Sequence, residues 1–260
     1  MSDIKREFEG LYARLEDIKG SAVRGELGIS AFLSPRELHY AEDFLLRSGA
    51  LFFSYGGYEN AERRRIYILP DYMEGAGHSE LEDFGFSTKI VTLKVKGSGF
   101  EHLSHRTVMG SLLGLGIERS VIGDILLIDD TEALVICEAA MADFLLCHWE
   151  KAGRDKIKLS RIILDGDFSP KRSFLPLSDT VASPRLDCVV ASVCNISREK
   201  AREAVLAKTV ELDYEEVEQP DREVKPPCVL SVRGYGKFRI LSLADKTKKG
   251  RYRLSGEKFL

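Results

Sequence analysis

Apolar residues near the start of the chain recur every three or four positions, which is the spacing of one face of an α-helix. The residues that share this face are Ile4, Phe8, Leu11, Leu15 and Ile18. The pattern predicts an N-terminal helix, which the glycines at positions 20 and 25 interrupt.

The clearest helix signal lies between Ser34 and Gly49. Ser34 is suited to cap the first turn, Pro35 is favoured at the first helical position, and Glu37 completes a capping box. Gly49 is typical of the residue that follows a helix. Two short strands are predicted next, at 51–54 and 66–69.

The middle of the chain alternates between strand and helix patterns. Val91, Leu93 and Val95 alternate with polar residues, which indicates a half-buried strand. The elements predicted after it are a helix from about Ser104, strands near 121–128 and 133–137, a helix over 139–150 and a strand near 157–164. This order, strand–helix–strand–strand–helix–strand, is that of the split βαβ sandwich of ferredoxin-like and RNA-recognition folds.

After residue 183 the pattern predicts two short helices followed by short strands. The first helix opens at Arg185-Leu186-Asp187, and Ser197 caps a second helix that runs to about Lys208. The stretch before these helices contains prolines and little periodicity, which is typical of a linker.

Together these patterns predict an α+β protein with several domains. Its end is interpreted as a basic extension with little order of its own. The predicted parts are an N-terminal α/β region over 1–80, an RNA-recognition-like (ferredoxin-like) domain over 81–166, a linker over 167–182, a C-terminal module over 183–243 and the extension over 244–260.

Composition limits the class of protein. The 260 residues are 44% hydrophobic and 30% charged, which is typical of folded domains. No run of about 18 apolar residues occurs, and the charged start does not resemble a secretory signal, so we expect no membrane insertion. The five cysteines are scattered without a C-x-x-C pair, which predicts a cytoplasmic protein without a disulfide framework, metal site or cofactor.

The charge of the chain is distributed unevenly. The net charge is −3, yet residues 231–260 hold nine Lys and Arg against two Asp and Glu. A strongly basic end on an acidic body is typical of a protein that contacts a polyanion such as nucleic acid. A solvated cationic tail is the alternative.

Three short motifs follow each other in the C-terminal module. They read Arg185-Leu186-Asp187, Ser197-Arg198-Glu199-Lys200-Ala201 and Val232-Arg233-Gly234-Tyr235-Gly236-Lys237-Phe238. These motifs resemble the S-four RNA-binding domain, which is named after a small-subunit ribosomal protein. Where that family has a glycine after the second helix and an asparagine after the next strand, this chain has Ala207-Lys208 and Asp213. Asp213 is expected to bring a carboxylate near the RNA-binding face.

The positive side chains of this module are spaced to share surfaces. Arg198 and Arg202 are four residues apart on a helix, and Lys237 and Arg239 are two apart on a strand. Guanidinium groups match phosphate oxygens, so we expect shape recognition of folded RNA with strong salt dependence. For Arg185, a structural role is the alternative to RNA contact. The predicted RNA-binding residues are Arg185, Ser197, Arg198, Arg202, Lys208, Arg233, Lys237 and Arg239.

Motifs in the rest of the chain resemble the YlmH-like proteins of bacteria and plastids. They are Gly56-Gly57-Tyr58-Glu59, Ala61-Glu62-Arg63, Leu113-Gly114-Leu115-Gly116-Ile117, Arg119 and Gly123-Asp124-Ile125. The resemblance implies an RNA-recognition-like domain joined to an S-four domain. It also implies association with the large ribosomal subunit, action on stalled complexes that carry peptidyl-tRNA, and a link to cell division.

A second cluster of arginines lies in these motifs. Arg63, Arg64 and Arg65 follow a Gly-Gly turn, and we predict that they offer a second RNA contact together with Arg119. A solvated turn, and a surface pair between Arg119 and Asp124, are the alternatives.

The chain contains no complete motif for a P-loop, a nucleophile elbow or a zinc protease. We therefore expect a non-catalytic RNA-binding protein that docks on ribosomal RNA of the large subunit and contacts tRNA. The alternatives are an RNA-modifying enzyme, of the pseudouridine synthase or methyltransferase type, and a cell-division scaffold.

Overall fold

A computed structural model of the chain divides into two units, and the sequence boundary between them follows residue 170. The residues that it describes are 7–75, 85–165, 168–170, 174–247 and 250–259, with the backbone alone at 245 and 246. Ile4 of the first predicted helix lies outside the described residues. The mixed α+β class predicted from the sequence is confirmed, since helices and antiparallel sheets form both units.

Two helices begin the first unit, α1 (Glu9–Val23) and α2 (Pro35–Arg47). The capping box predicted at the start of α2 is present. The Ser34 hydroxyl accepts from the Glu37 N–H at 3.3 Å, and the Glu37 carboxylate accepts from the Ser34 N–H at 2.8 Å. Gly49 follows the helix with a φ of +68°, a left-handed conformation that glycine adopts at little cost.

The two helices pack on a small antiparallel sheet. Its strands are β1 (Gly28–Ile29), β2 (Phe52–Tyr55) and β3 (Arg65–Ile68), in the order β1-β3-β2. Leu11 and Leu15 of α1 share a core with Leu45 of α2 and Ile66 of β3. The apolar spacing at the start of the chain therefore predicted the buried face of α1.

A second sheet has the predicted strand–helix–strand–strand–helix–strand order. Its elements are β4 (Ile90–Gly97), α3 (His105–Gly114), β5 (Ile122–Leu127), β6 (Glu132–Glu138), α4 (Ala139–His148), a short β7 (Lys151–Ala152) and β8 (Asp155–Ile162). The spatial order is β5-β6-β4-β8-β7, and every pair is antiparallel. The order consists of two strand–helix–strand halves, which begin with β4 and β6. These two strands are neighbours inside the sheet, as in a split βαβ sandwich. Both helices cover one face of the sheet.

Residues on the two sides of the predicted boundary at residue 80 also share a small core. Phe32 and Tyr58 from the N-terminal region pack with Ile90 and Ile136 of the second sheet. A Cβ atom on Gly123 would lie 2.8 Å from the Phe32 ring, so this contact requires a glycine. The N-terminal region therefore packs on the second face of this sheet, and both regions lie in the first unit.

The second unit packs two helices on a six-stranded sheet. Its elements are β9 (Phe174–Val181), α5 (Leu186–Val193), α6 (Arg198–Leu206), β10 (Val210–Leu212), β11 (Glu215–Glu216), β12 (Cys228–Val232), β13 (Gly236–Lys246) and β14 (Tyr252–Phe259). The sheet order is β11-β10-β12-β13-β14-β9. Val189 of α5 and Val205 of α6 pack in one core with Leu230 and Phe238 of the sheet.

Two segments differ from the prediction. Residues 174–181 of the predicted linker form β9, and residues 252–259 of the predicted extension form β14. The two strands pair over eight residues, and β14 also pairs with β13. The linker prediction failed because β9 is an edge strand, where Pro176 is tolerated and where only Val181 is fully buried. Residues 248, 249 and 260 of the extension lie outside the described residues.

The Gly256→Ala variant tests the pairing of β14 with β13. A Cβ atom at Gly256 would lie 2.5 Å from the carbonyl oxygen of Arg239, so the two strands must separate locally. We expect faster hydrogen exchange by mass spectrometry in peptides from β9, β13 and β14. Gly10→Ala is the control, because nothing lies within 4 Å of its Cβ position. Unchanged exchange in residues 252–259 would contradict the described pairing.

Candidate nucleic-acid interface

An open groove of about 430 Å³ lies beside the first turns of α5 and α6. Three predicted RNA-binding residues line it, namely Arg185, Arg198 and Arg202. The other residues that line the groove are Asp187, Glu199, Pro220 and Asp221. The structure therefore brings together positive side chains that the sequence separates by up to 17 positions.

Asp187 joins two of these arginines. Its carboxylate is 2% exposed and accepts from Nε of Arg185 at 3.2 Å and from Nε of Arg198 at 3.0 Å. A second bond runs from Nη2 of Arg185 at 3.4 Å. Burial alone would raise the pKa of Asp187, but these hydrogen bonds outweigh it and hold the pKa below its ordinary value. The carboxylate is therefore ionised at neutral pH.

The backbone of a neighbouring loop holds this carboxylate in place. The N–H groups of Leu186 and Asp187 donate to the carbonyl oxygens of Arg222 and Pro220, at 2.9 Å each. The first turn of α5 is thereby fixed against residues 220–222. The fixed Asp187 carboxylate therefore orients the side chains of both Arg185 and Arg198.

Both arginines keep a large exposed part. The Arg185 side chain is 42% exposed and the Arg198 side chain is 58% exposed, although each bonds to Asp187. Arg202 lies one turn further along α6 and is exposed. The contact with Asp187 supports the structural role considered for Arg185, and its exposed part leaves room for a ligand contact.

Ser197 and Lys208 lie at opposite ends of α6. The Ser197 hydroxyl accepts from the Lys200 N–H at 3.2 Å, which confirms the predicted cap. Lys208 forms an ion pair with Glu218, with Nζ 2.6 Å from the carboxylate. Neither residue lines the groove. The structure thus shows a capping contact for Ser197 and an ion pair for Lys208.

Lys208 and Asp213, which stand where the S-four pattern has glycine and asparagine, are both in the left-handed conformation. Lys208 has a φ of +57° and Asp213 a φ of +50°. Glycine and asparagine adopt this conformation most readily, which explains why the pattern favours them. The Asp213 carboxylate accepts from the Val229 N–H at 2.8 Å, so it stabilises the sheet. This differs from the expectation that it faces RNA.

Lys237 and Arg239 lie on a different surface. They alternate along β13 with Phe238 and Ile240, which are fully buried beneath α5 and α6. As predicted, the two cations share one face, but that face is turned away from the helices. Arg233 is exposed in the turn between β12 and β13. The predicted residues therefore divide between a groove and the opposite face of the sheet.

The side chains of the second arginine cluster contact the protein's own backbone, and their RNA contact stays a prediction. The Arg63 guanidinium donates to the carbonyl oxygens of Phe32 at 2.9 Å and Ile122 at 3.0 Å. Arg119 donates to the same Ile122 oxygen at 2.7 Å. Burial, followed by the nearby charge of Arg63, lowers the pKa of Arg119 to about 10. These side chains fasten the N-terminal region to the start of β5.

The other two arginines of this cluster are held in the same way. Arg65 is 9% exposed, donates to the Ser30 carbonyl at 2.6 Å and lies 3.2 Å from the Glu138 carboxylate. Arg64 donates to the Ala61 carbonyl at 2.8 Å. The sequence could not reveal these partners, because most of them come from distant parts of the chain.

Asp124, for which the sequence left a surface pair with Arg119 as an alternative, is a buried carboxylate. It is 8% exposed and accepts from the Tyr58 hydroxyl at 2.6 Å and from the N–H groups of Glu62 and Arg63 at 2.8 and 3.0 Å. These hydrogen bonds order the turn before β3.

The described part of the chain contains no group of three or more His, Cys, Asp or Glu side chains that could hold a metal ion. No described helix is both long and apolar enough to cross a bilayer. The five cysteines are unpaired, and burial raises the pKa of Cys137 to about 12.

The Asp187→Asn variant tests the role of the buried carboxylate. We expect the second unit to lose about 1–3 kcal/mol of stability at pH 7, because charged hydrogen bonds are removed from a buried site. The pKa of Asp187 is depressed, so its contribution exists above the unfolded value of about 3.9 and is lost as the pH falls through the folded value. The variant and the wild type should therefore converge in acid.

Alkylation of Cys188 and Cys228 during urea unfolding measures this loss, because both thiols are buried in the second unit. Asp221→Asn is the control, since this exposed carboxylate lines the same groove. Equal midpoints for Asp187→Asn and Asp221→Asn at pH 7 would contradict the anchoring role.

Comparisons with known proteins agree with the RNA-binding interpretation. A family model described as "Putative RNA-binding domain in YlmH" matches residues 80–165. The ribosome-associated protein quality control protein P2 of Bacillus subtilis (strain 168) is 31% identical over 230 residues, which are 88% of this chain and 86% of that protein.

A solved structure titled cell division protein ylmH from Streptococcus pneumoniae is 26% identical, with a TM-score of 0.49. It covers 62% of this chain, and the match spans 93% of that chain. The Bacillus protein matches over most of both sequences, and on that match this chain belongs to the YlmH-like family.

Proposed function

We propose that this chain is a non-catalytic RNA-binding protein that docks on ribosomal RNA of the large subunit in the cytoplasm. Its second unit, which we interpret as an S-four domain, makes the principal contact. The name of the Bacillus relative supports a role in ribosome-associated quality control. We propose that in this role the bound ribosomal particle carries peptidyl-tRNA.

The observation that carries this proposal is the arginine groove anchored on Asp187. Arginine side chains lose conformational freedom when they bind phosphate, and this loss weakens binding. In Arg185 and Arg198 the Nε atoms are already fixed by one buried carboxylate. These two side chains therefore lose part of their conformational freedom when the protein folds, before RNA binds. The exposed ends of the guanidinium groups are oriented toward a phosphate before RNA arrives.

The charge of the groove limits how tightly it binds RNA. Three arginines line it, but so do Asp187, Glu199 and Asp221. The charge of Asp187 is offset by its two arginine partners, whereas Glu199 and Asp221 oppose a phosphate. Such a groove favours an RNA backbone whose phosphates lie opposite the arginines. Other polyanions bind more weakly, because their phosphates come close to a carboxylate.

The first unit also supports RNA binding. Residues 80–165 match a model whose description is RNA binding, and they contain β4 to β8 with α3 and α4. Lys94 and Lys96 on β4 both pair with Glu132, at 2.8 and 3.4 Å. These lysines are therefore partly neutralised, and we assign the stronger phosphate contact to the second unit.

Charge reversal at Arg202 and Arg233 tests the proposal. Both side chains are exposed, and neither is bonded to Asp187, so Arg202→Glu with Arg233→Glu leaves the anchor intact. We expect the double variant to bind large ribosomal subunits about tenfold or more weakly in co-sedimentation, because two phosphate contacts become repulsive.

The matched control reverses Arg14 and Arg47, two exposed residues of α1 and α2, which changes the net charge equally. Circular dichroism checks that both proteins are folded. Co-sedimentation of the Arg202 and Arg233 variant at the wild-type level would refute the assignment of these two arginines to the ribosomal contact.

Neutralising the acidic residues of the groove should have the opposite effect. In Glu199→Gln with Asp221→Asn, the repulsion of phosphate is removed while the arginines stay in place. We expect RNA affinity to rise about two- to fivefold at low salt, and the gain to shrink as salt screens the charges. Fluorescence anisotropy with a labelled ribosomal RNA fragment measures this. An unchanged or lower affinity would show that RNA does not enter the groove.

A further inference from the structure

Three aromatic rings and two cations alternate across the face of the second sheet that is turned away from α5 and α6. We call this set the aromatic face, and its residues are Phe174, Tyr214, Lys237, Arg239 and Phe259. Lys237 Nζ lies 5.2 Å from the ring centres of both Tyr214 and Phe259. Arg239 Cζ lies 5.4 Å from the centre of Phe259 and 5.7 Å from that of Phe174.

Strand pairing places these side chains together. Phe174 on β9 is directly opposite Phe259 on β14, and their ring centres are 5.2 Å apart at an interplanar angle of 77°. Lys237 and Arg239 lie on β13, which is the other neighbour of β14. The face therefore depends on the two strands that the sequence did not reveal.

The rings of the aromatic face contribute little to the core. The core of the second unit lies on the helix side of the sheet and contains Phe238, Ile240 and Leu254. Phe174, Tyr214 and Phe259 are absent from that core and are partly exposed. Packing on the helices does not account for three rings on this side of the sheet, which points to a ligand.

The chemistry of the aromatic face favours unpaired nucleotides. Bases stack on aromatic side chains whatever their sequence, and phosphates are attracted to nearby Lys and Arg. Glu257 is a carboxylate close to these cations, 3.8 Å from Arg239, so the local charge stays positive. A neutral apolar peptide would gain nothing from cations placed between the rings.

We propose that the aromatic face binds unpaired nucleotides of an RNA, with a base stacked on Phe259 or Phe174 and adjacent phosphates on Lys237 and Arg239. This inference rests on the proposed function and extends it, because the groove contacts the backbone of folded RNA while this face contacts exposed bases. A loop or a single-stranded end next to a helix would engage both surfaces.

Fluorescence anisotropy at low salt with three RNAs tests the inference. The probes are an oligouridylate of about eight nucleotides, an abasic strand of the same length and charge, and a blunt duplex of about 16 base pairs. The variant is Phe174→Leu with Phe259→Leu, which keeps apolar side chains but removes the rings. The control is Phe100→Leu with Phe144→Leu, two exposed rings of the first unit.

We expect the wild type to bind oligouridylate about tenfold more tightly than the abasic strand, and the Phe174 and Phe259 variant to lose that preference. Duplex binding should be unchanged in the variant, which also shows that the second unit remains folded. The Phe100 and Phe144 control should bind all three RNAs like the wild type.

Two results would overturn the inference while the proposed function stands. One is equal wild-type binding of the oligouridylate and the abasic strand, and this comparison needs no variant. The other is wild-type affinity for oligouridylate in the Phe174 and Phe259 variant. If the wild type binds none of the three RNAs, the proposed function itself fails.

Discussion

The ion pair network around Asp187 is the interaction on which the candidate interface depends. A buried carboxylate is costly unless it is ionised and paired, and here Arg185 and Arg198 supply the pairing. The same bonds orient two guanidinium groups at the mouth of the groove. One contact therefore stabilises the start of α5, fixes α6 beside it and prepares the surface that we assign to RNA.

The sheet of the second unit carries another candidate RNA-binding surface, on the face that is turned away from α5 and α6. Because β14 pairs with both β13 and β9, the end of the chain becomes an inner strand of the sheet. Its basic residues are thereby arranged on fixed strands. The groove beside α5 and α6 and the aromatic face on the other side of the sheet offer different chemistry, namely guanidinium groups for a backbone and rings for bases. An RNA element that combines a helix with unpaired nucleotides fits both.

Local patterns predicted much of the fold. The capping box at Ser34, the cap at Ser197 and the alternation around Leu93 each depend on residues close in sequence, and each is present in the structure. Local patterns could not predict that residues 174–181 form the strand β9. As an edge strand with a proline at position 176, it shows no alternation, and its identity as a strand depends on a partner about 80 residues later.

For the arginines too, the sequence predicted local geometry but did not reveal contacts between distant parts of the chain. The spacing of Arg198 and Arg202 correctly placed them on one side of α6, since helical geometry is local. The burial of Arg63 and Arg119 depends on carbonyl oxygens of Phe32 and Ile122, which only the folded chain brings near. The run of arginines predicted RNA contact, but it could not reveal these hydrogen bonds to the backbone.

The most direct test of the central claim is the salt dependence of the affinity between the intact chain and large ribosomal subunits. Contacts of arginine and lysine with phosphates release counterions, so the account predicts that the logarithm of the association constant falls linearly and steeply as the logarithm of the salt concentration rises. An affinity that is indifferent to salt, or no binding in dilute buffer, would contradict it.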